Sequence, residues 1–134
     1  MNDCLFCKIV AGEIPCDKIY EDEKFLVFLD INPVNRGHSL VVPKKHSRNL
    51  LEMEDNELKE MSVLIKKISN HLKTQLKADG INIVSNNEPA AGQLIFHTHI
   101  HIIPRFEGDG FKHWKGEGYK EGEIEKIQEI LELD

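Results

Sequence analysis

The sequence predicts an α+β fold, an antiparallel sheet with one long helix packed on one face and a short helix at the C-terminus. Three observations point to it. Short apolar runs separated by turn residues fill the first third of the chain. One long stretch of helical periodicity follows. Beyond it, two further strand-like runs flank a loop rich in Asn, Ala, Pro and Gly, the pattern of a hairpin with a long tip.

Lys18 to Tyr20, Phe25 to Leu29 and Ser39 to Val42 are the first strand candidates. Glu21-Asp22-Glu23 and Asn32-Pro33-Val34-Asn35-Arg36-Gly37 divide them with turn-forming residues. From Asp55 to Ala78 the chain predicts a helix, because Leu58, Met61, Ile65, Ile68, Leu72 and Leu76 recur at three- and four-residue steps and make one buried stripe. Asp55 is placed to cap its start, and Gly80 stands where a helix stops. Ile81 to Val84 reads as a strand, Ser85 to Gln93 as the hairpin tip, and Leu94 to Ile103 as the returning strand. Glu123 to Leu133 has Ile124, Ile127 and Leu131 on one helical face. No repeat, low-complexity segment or linker interrupts the chain, so residues 1–134 read as one domain.

Composition narrows the function. A chain of 134 residues with 40% hydrophobic and 30% charged residues is an ordinary globular protein. A net charge of -6 argues against a nucleic-acid backbone as partner, although a single nucleotide needs only a local nest of donors. The first ten residues are polar and interrupted by Asp3 and Lys8, which does not resemble a signal peptide, and no apolar run approaches a membrane span. With three cysteines at least one has no internal partner, which fits a reducing cytoplasm.

The segment with most chemistry is His97-Thr98-His99-Ile100-His101. In a strand, alternate side chains share a face, so the three imidazoles line one surface. Nucleophilic chemistry, metal binding and anion capture all suit such a row. Cys4-Leu5-Phe6-Cys7 has the C-x-x-C spacing with which two thiolates grip one ion, and equally suits two reduced thiols. Cys16 lacks metal-like spacing and reads as an ordinary thiol.

The row and its surroundings resemble the histidine triad (HIT) nucleotide-binding family. Its signature, His-x-His-x-His and two apolar residues, is His97 to Ile103 here. Phe28-Leu29-Asp30-Ile31, Gly37-His38 and Val41-Val42-Pro43-Lys44-Lys45-His46 resemble the family's N-terminal half, and Ala91-Gly92-Gln93 fits ahead of the triad. The likeness covers Cys4 to Trp114 and is greatest to the small bacterial, Hint-like branch. It implies a HIT-like fold, a homodimer and a purine nucleotide substrate, with no organic cofactor. The implied reaction is hydrolysis of the P–N or P–O bond at the α-phosphate of nucleoside 5′-phosphoramidates or dinucleoside polyphosphates, through a nucleotidyl-histidine.

Carried over residue by residue, the resemblance makes His99 the nucleophile, with its second ring nitrogen held by a backbone carbonyl. His101 supports the phosphate and His38 lies beside it. Asn86 and Gln93 offer neutral donors to the phosphate or leaving group, Asp30 accepts from the ribose hydroxyls, and Phe28 and Ile31 form the slot for the base. The resemblance also implies a structural zinc on Cys4, Cys7, His46 and His97. One departure stands out: Leu94 follows Gln93 where many relatives carry serine, which touches rate and leaving-group preference.

Three rival readings remain. His97, His99 and His101 would together hold a catalytic zinc in a metallohydrolase, although three ligands from one flat strand fan poorly around a tetrahedron. A related nucleotide transferase would carry glutamine in place of His101. A nucleotide-sensing or protein-interaction module would use the same pocket without turnover. Trp114, beside His113, is a candidate contact to a partner subunit.

Overall fold

The computed structural model describes residues 3–133; Met1, Asn2 and Asp134, the ends of the segment read as one domain, lie outside it. Five strands form one antiparallel sheet: β1 (Lys18–Glu21), β2 (Phe25–Leu29), β3 (Ser39–Pro43), β4 (Gly80–Val84) and β5 (Ile100–Arg105), in the order β1-β2-β3-β5-β4. The expected hairpin is present, with β4 and β5 paired and the long tip between them.

Helix α1 spans Leu5–Val10, α2 Asp55–Leu76 and α3 Glu123–Leu131. Of the predicted stripe of α2, Met61, Ile68 and Leu72 are buried against Phe25, Val27, Val41, Ile100 and Ile102. Leu58, Ile65 and Leu76 are only partly buried, and Leu64, which the stripe omitted, joins the core. Its ends differ slightly from expectation. Glu54 takes the N-cap place, Asp55 is already helical, and Lys77 in a left-handed conformation closes the helix before Gly80 opens β4.

The other face of the sheet is not bare. Alternate residues of the central strands, Leu26, Phe28, Leu40 and Val42, pack there with Phe6 of α1. Both faces of β2 and β3 are thus buried, which is why these runs are apolar throughout rather than alternating. Helix α1 is too short to be stable alone. Phe6 docks it, and the Cys4 sulfur accepts from the Cys7 N–H at 3.3 Å to cap it.

The returning strand begins six residues later than the sequence predicts, at Ile100 rather than Leu94. Its register on β3 would bring Pro43 opposite Thr98, and a proline has no N–H to extend the ladder. Residues 97–99 remain beside the sheet through other bonds: the Thr98 N–H donates to the Ser47 carbonyl at 2.9 Å. At the opposite end of β3, Gly37 (φ +90) approaches α2 so closely that a Cβ would collide with Leu76, which fixes where His38 enters the sheet. Among the described residues no helix is long and apolar enough to cross a membrane.

Candidate active site and metal centre

The histidines sort by the parity of β5. Ile100 and Ile102 face α2, whereas His101, and His99 before it, face the side covered by α1. There they border a cavity of about 550 Å³. Phe6, Ile9, Phe28 and Leu40 make its apolar part; Asp30 and Ile31 stand on one wall, and Asn86, Gly92 and Leu94 on another.

Hydrogen bonds set the tautomer of each imidazole. His99 Nδ1 lies 2.7 Å from the His97 carbonyl oxygen, which only accepts, so Nδ1 carries the proton and donates it. The lone pair is left on Nε2. The Val34 N–H donates to His38 Nδ1 at 3.0 Å, so the His38 proton sits on Nε2 and is donated to His101 Nδ1 at 2.9 Å. That leaves the remaining proton of neutral His101 on Nε2. The rings of His99 and His101 are 5.1 Å apart, and the Phe6 ring meets His99 edge-on at 5.0 Å. A nucleophilic nitrogen and a donor N–H are thereby placed side by side.

Burial keeps these rings neutral. It lowers the proton affinity of His38 and His99, and together with His99 and His38 it takes His101 down to about 4. The unfolded chain therefore binds more protons than the folded one once the pH falls below about 6.5. Stability from these groups is fully present above that pH and is lost as pH falls toward their folded values. Melting curves should show Tm falling between pH 6.5 and 5, with a slope of up to about 1.4 kcal/mol per pH unit for each histidine that charges only on unfolding. A Tm independent of pH across that window would contradict buried neutral rings.

Cys4, Cys7, His46 and His97 form a second cluster, their ligand atoms all within 4.8 Å of one another. His97 Nε2 donates to the Pro43 carbonyl at 2.7 Å, which turns its unprotonated Nδ1 toward the sulfurs. The separations are 3.3 Å from His97 Nδ1 to Cys4 Sγ, 3.5 Å to Cys7 Sγ and 3.1 Å to His46 Nδ1. Around one zinc ion, a tetrahedron of two sulfurs and two nitrogens has N···N and N···S edges of about 3.3–3.6 Å, so the donor set fits. Burial, and then Cys4 alongside, pushes the Cys7 thiol up to about 11, so a cation is needed to hold the Cys7 sulfur as a thiolate. His97 therefore belongs to a different centre from His99 and His101. The three rings do not converge on one ion as the metallohydrolase reading requires.

Two expected site residues are placed elsewhere. His38 does not line the cavity; it is buried behind His101, and its Nε2 is 3.6 Å from Asp30 Oδ2. Gln93 is also buried and fully engaged. Its Nε2 donates to the carbonyls of Arg48 (2.7 Å) and Ile95 (3.0 Å), and its Oε1 accepts from the Glu88 N–H at 2.8 Å. It holds the loop and has no hydrogen free for a phosphate. Phe28, Asp30, Ile31 and Asn86 do border the cavity with His99 and His101. Asp30 Oδ1 accepts from the Asn32 N–H at 2.8 Å.

The sequence did not disclose that α1 forms a wall, although Phe6 standing between two candidate metal ligands was a signal. Cys16 also borders the cavity, and burial raises its pKa, so it faces the site as a thiol. No lysine or arginine is among the described residues that line it.

A family model for the HIT domain matches residues 11–108. The crystal structure of SMU.412c from Streptococcus mutans UA159 is 48% identical with a TM-score of 0.88, over 98% of this chain and 87% of that one. An adenylylsulfatase of Arabidopsis thaliana, HINT3, is 44% identical over 98% of this chain and 66% of its own length. A Zn-bound histidine triad family protein from Mycobacterium smegmatis is 42% identical with a TM-score of 0.79, covering 83% of this chain and 81% of that one.

Proposed function

The chain belongs to the HIT family, and we propose that it is a nucleotide hydrolase releasing a nucleoside monophosphate from a nucleoside 5′-phosphoramidate or a related conjugate. The observation that carries this is the fixed tautomer of His99, whose Nε2 lone pair is left for the cavity by the bond from Nδ1 to the His97 carbonyl. In the reaction Nε2 forms a bond to the α-phosphorus while the bond to the leaving nitrogen or oxygen breaks, its electron pair departing with that atom. The nucleotidyl-imidazole formed is positively charged, and the His97 carbonyl stabilises its Nδ1 proton. Water then attacks phosphorus and gives up a proton to solvent, which balances the one the leaving nitrogen or oxygen took from solvent on departure; the P–Nε2 pair returns to the ring, and the monophosphate leaves.

His101 Nε2–H is the donor for phosphate oxygens as charge builds. His38 acts through His101 by fixing which of its nitrogens carries the proton. Asp30, with Oδ2 uncommitted to backbone, suits the ribose hydroxyls, and Phe28 with Ile31 suits the base. A lining without lysine or arginine favours a conjugate with one phosphate over the longer chain of a dinucleoside polyphosphate. The adenylylsulfatase relative supports an adenylyl, hence purine, conjugate. The Zn-bound relative supports a structural zinc on Cys4, Cys7, His46 and His97.

The working form in this reading is a cytoplasmic homodimer. Trp114 (96% exposed), Ile130 and Leu131 lie uncovered on the single chain, where a second copy would bury them.

The test is incubation with adenosine 5′-phosphoramidate followed by intact-mass and peptide analysis under non-acidic conditions. Turnover with an AMP-sized adduct on His99 is expected. AMP binding with neither turnover nor adduct would sink the hydrolase and favour a nucleotide sensor.

A further inference from the structure

Glu88 lies in the tip between β4 and β5 with φ +78 and ψ 156, a conformation populated almost solely by glycine. A side chain held there must be secured from outside. Arg48 grips its carboxylate with a fork, Nε to Oε2 and Nη2 to Oε1, both at 2.8 Å, and Asn49 Nδ2 adds a bond to Oε2 at 2.7 Å. The guanidinium also stacks 4.4 Å above the Phe96 ring. The Glu88 carbonyl accepts from the N–H groups of Ala91 and Gln93, closing the turn. The residues so arranged, Asn86, Gly92 and Leu94, border the cavity beside His99.

We propose that Glu88 and Arg48 form a clamp that positions the β4–β5 loop against His99, so that both are positioning residues for the hydrolysis; the inference rests on the functional reading above. Neither side chain lines the cavity. Their effect is on where the wall stands when the α-phosphorus approaches Nε2, and a misplacement of an ångström there is costly. The clamp also joins the loop to the segment directly after His46, a metal-ligand candidate. Glycine at 88 would accept the backbone without strain and abolish the grip, which separates stability from positioning.

Glu88→Gly, Glu88→Gln and Arg48→Lys should be compared with wild type for turnover of adenosine 5′-phosphoramidate, for AMP affinity and for Tm. In Glu88→Gly, kcat is expected to fall about tenfold or more while the Kd for AMP stays within about twofold. Its Tm should hold or rise, because the strain is relieved. Glu88→Gln, which keeps an acceptor, recovers part of kcat, whereas Arg48→Lys, which keeps the charge without the fork, does not. Amide exchange at Ala91, Gly92 and Gln93 reads the loop without catalysis and should accelerate in Glu88→Gly. In an active wild type, a Glu88→Gly kcat within about twofold overturns the positioning role whatever the exchange shows. An inactive wild type with faster exchange in the variant instead sinks the hydrolase reading and leaves the clamp standing; unchanged exchange sinks the clamp as well.

Discussion

Replacing His99 with asparagine lowers turnover of adenosine 5′-phosphoramidate by roughly a thousandfold or more, because it removes the attacking atom rather than a contact. Asparagine is the informative substitution. Its side-chain amide can still donate to the His97 carbonyl, the bond that His99 Nδ1 makes at 2.7 Å, but it offers no nucleophilic nitrogen. The ring stands edge-on to Phe6, so alanine would open a gap against α1 and mix a packing loss with the chemical one. AMP affinity should change little, since the apolar part of the cavity and Asp30 are untouched. Stopped-flow and steady-state rates with both variants, alongside equilibrium AMP binding, check this. A His99→Asn protein that turns over at near wild-type rate, or still acquires the nucleotidyl adduct, would put the nucleophile elsewhere.

The choice of His99 as nucleophile rests on the family resemblance; what the sequence shows locally is the alternation, which places side chains on a shared face. His99 and His101 do border one cavity, whereas His97, expected on the same surface, turns to Cys4, Cys7 and His46. The periodicity of α2 was legible for the same reason: Met61, Ile68 and Leu72 follow from helical geometry, although the stripe named Ile65 where Leu64 is the residue fully buried. What could not be read are features that depend on partners distant in the chain. Helix α1 exists because Phe6 finds Leu26, Phe28, Leu40 and Val42. The late start of β5 depends on which residue of β3 lies opposite, and there it is a proline. Gln93 looks in sequence like a free donor, yet its hydrogens go to carbonyls of Arg48 and Ile95. His38 similarly needed its neighbours: only the Val34 N–H and His101 show that it is buried behind His101 and outside the cavity lining. The grip of Arg48 on Glu88 spans 40 positions of chain and has no local signature.

Removal of metal should have the largest structural effect. Two of the four candidate ligands bracket the first turn of α1, Cys4 as its N-cap and Cys7 within it, and Phe6 between them supplies cavity wall and edge contacts to both His97 and His99. Without an ion, two neighbouring thiols and two imidazoles leave a six-residue helix held chiefly by one aromatic ring. Chelation, or Cys4→Ser with Cys7→Ser, should cost about 3–5 kcal/mol and lower Tm on the order of 10 °C. Amide exchange should accelerate first at Lys8 and Ala11, whose N–H groups bond to the carbonyls of Cys4 and Cys7. Elemental analysis of the purified protein should find one zinc per chain, with Cys4 and Cys7 protected from a thiol reagent that still modifies Cys16. The consequence then runs inward. His97 presents Nδ1 to the sulfurs, Nε2 to the Pro43 carbonyl, and its own carbonyl to His99. Loosening it frees the bond that sets the nucleophile's tautomer, so kcat should fall together with AMP affinity as the α1 wall departs. A metal-free protein whose Cys4 and Cys7 react as readily as Cys16, with unchanged Tm, would remove zinc from the account. If Tm and affinity fell while kcat held, the metal would support the wall alone, and the His97 carbonyl would keep His99 in place without it.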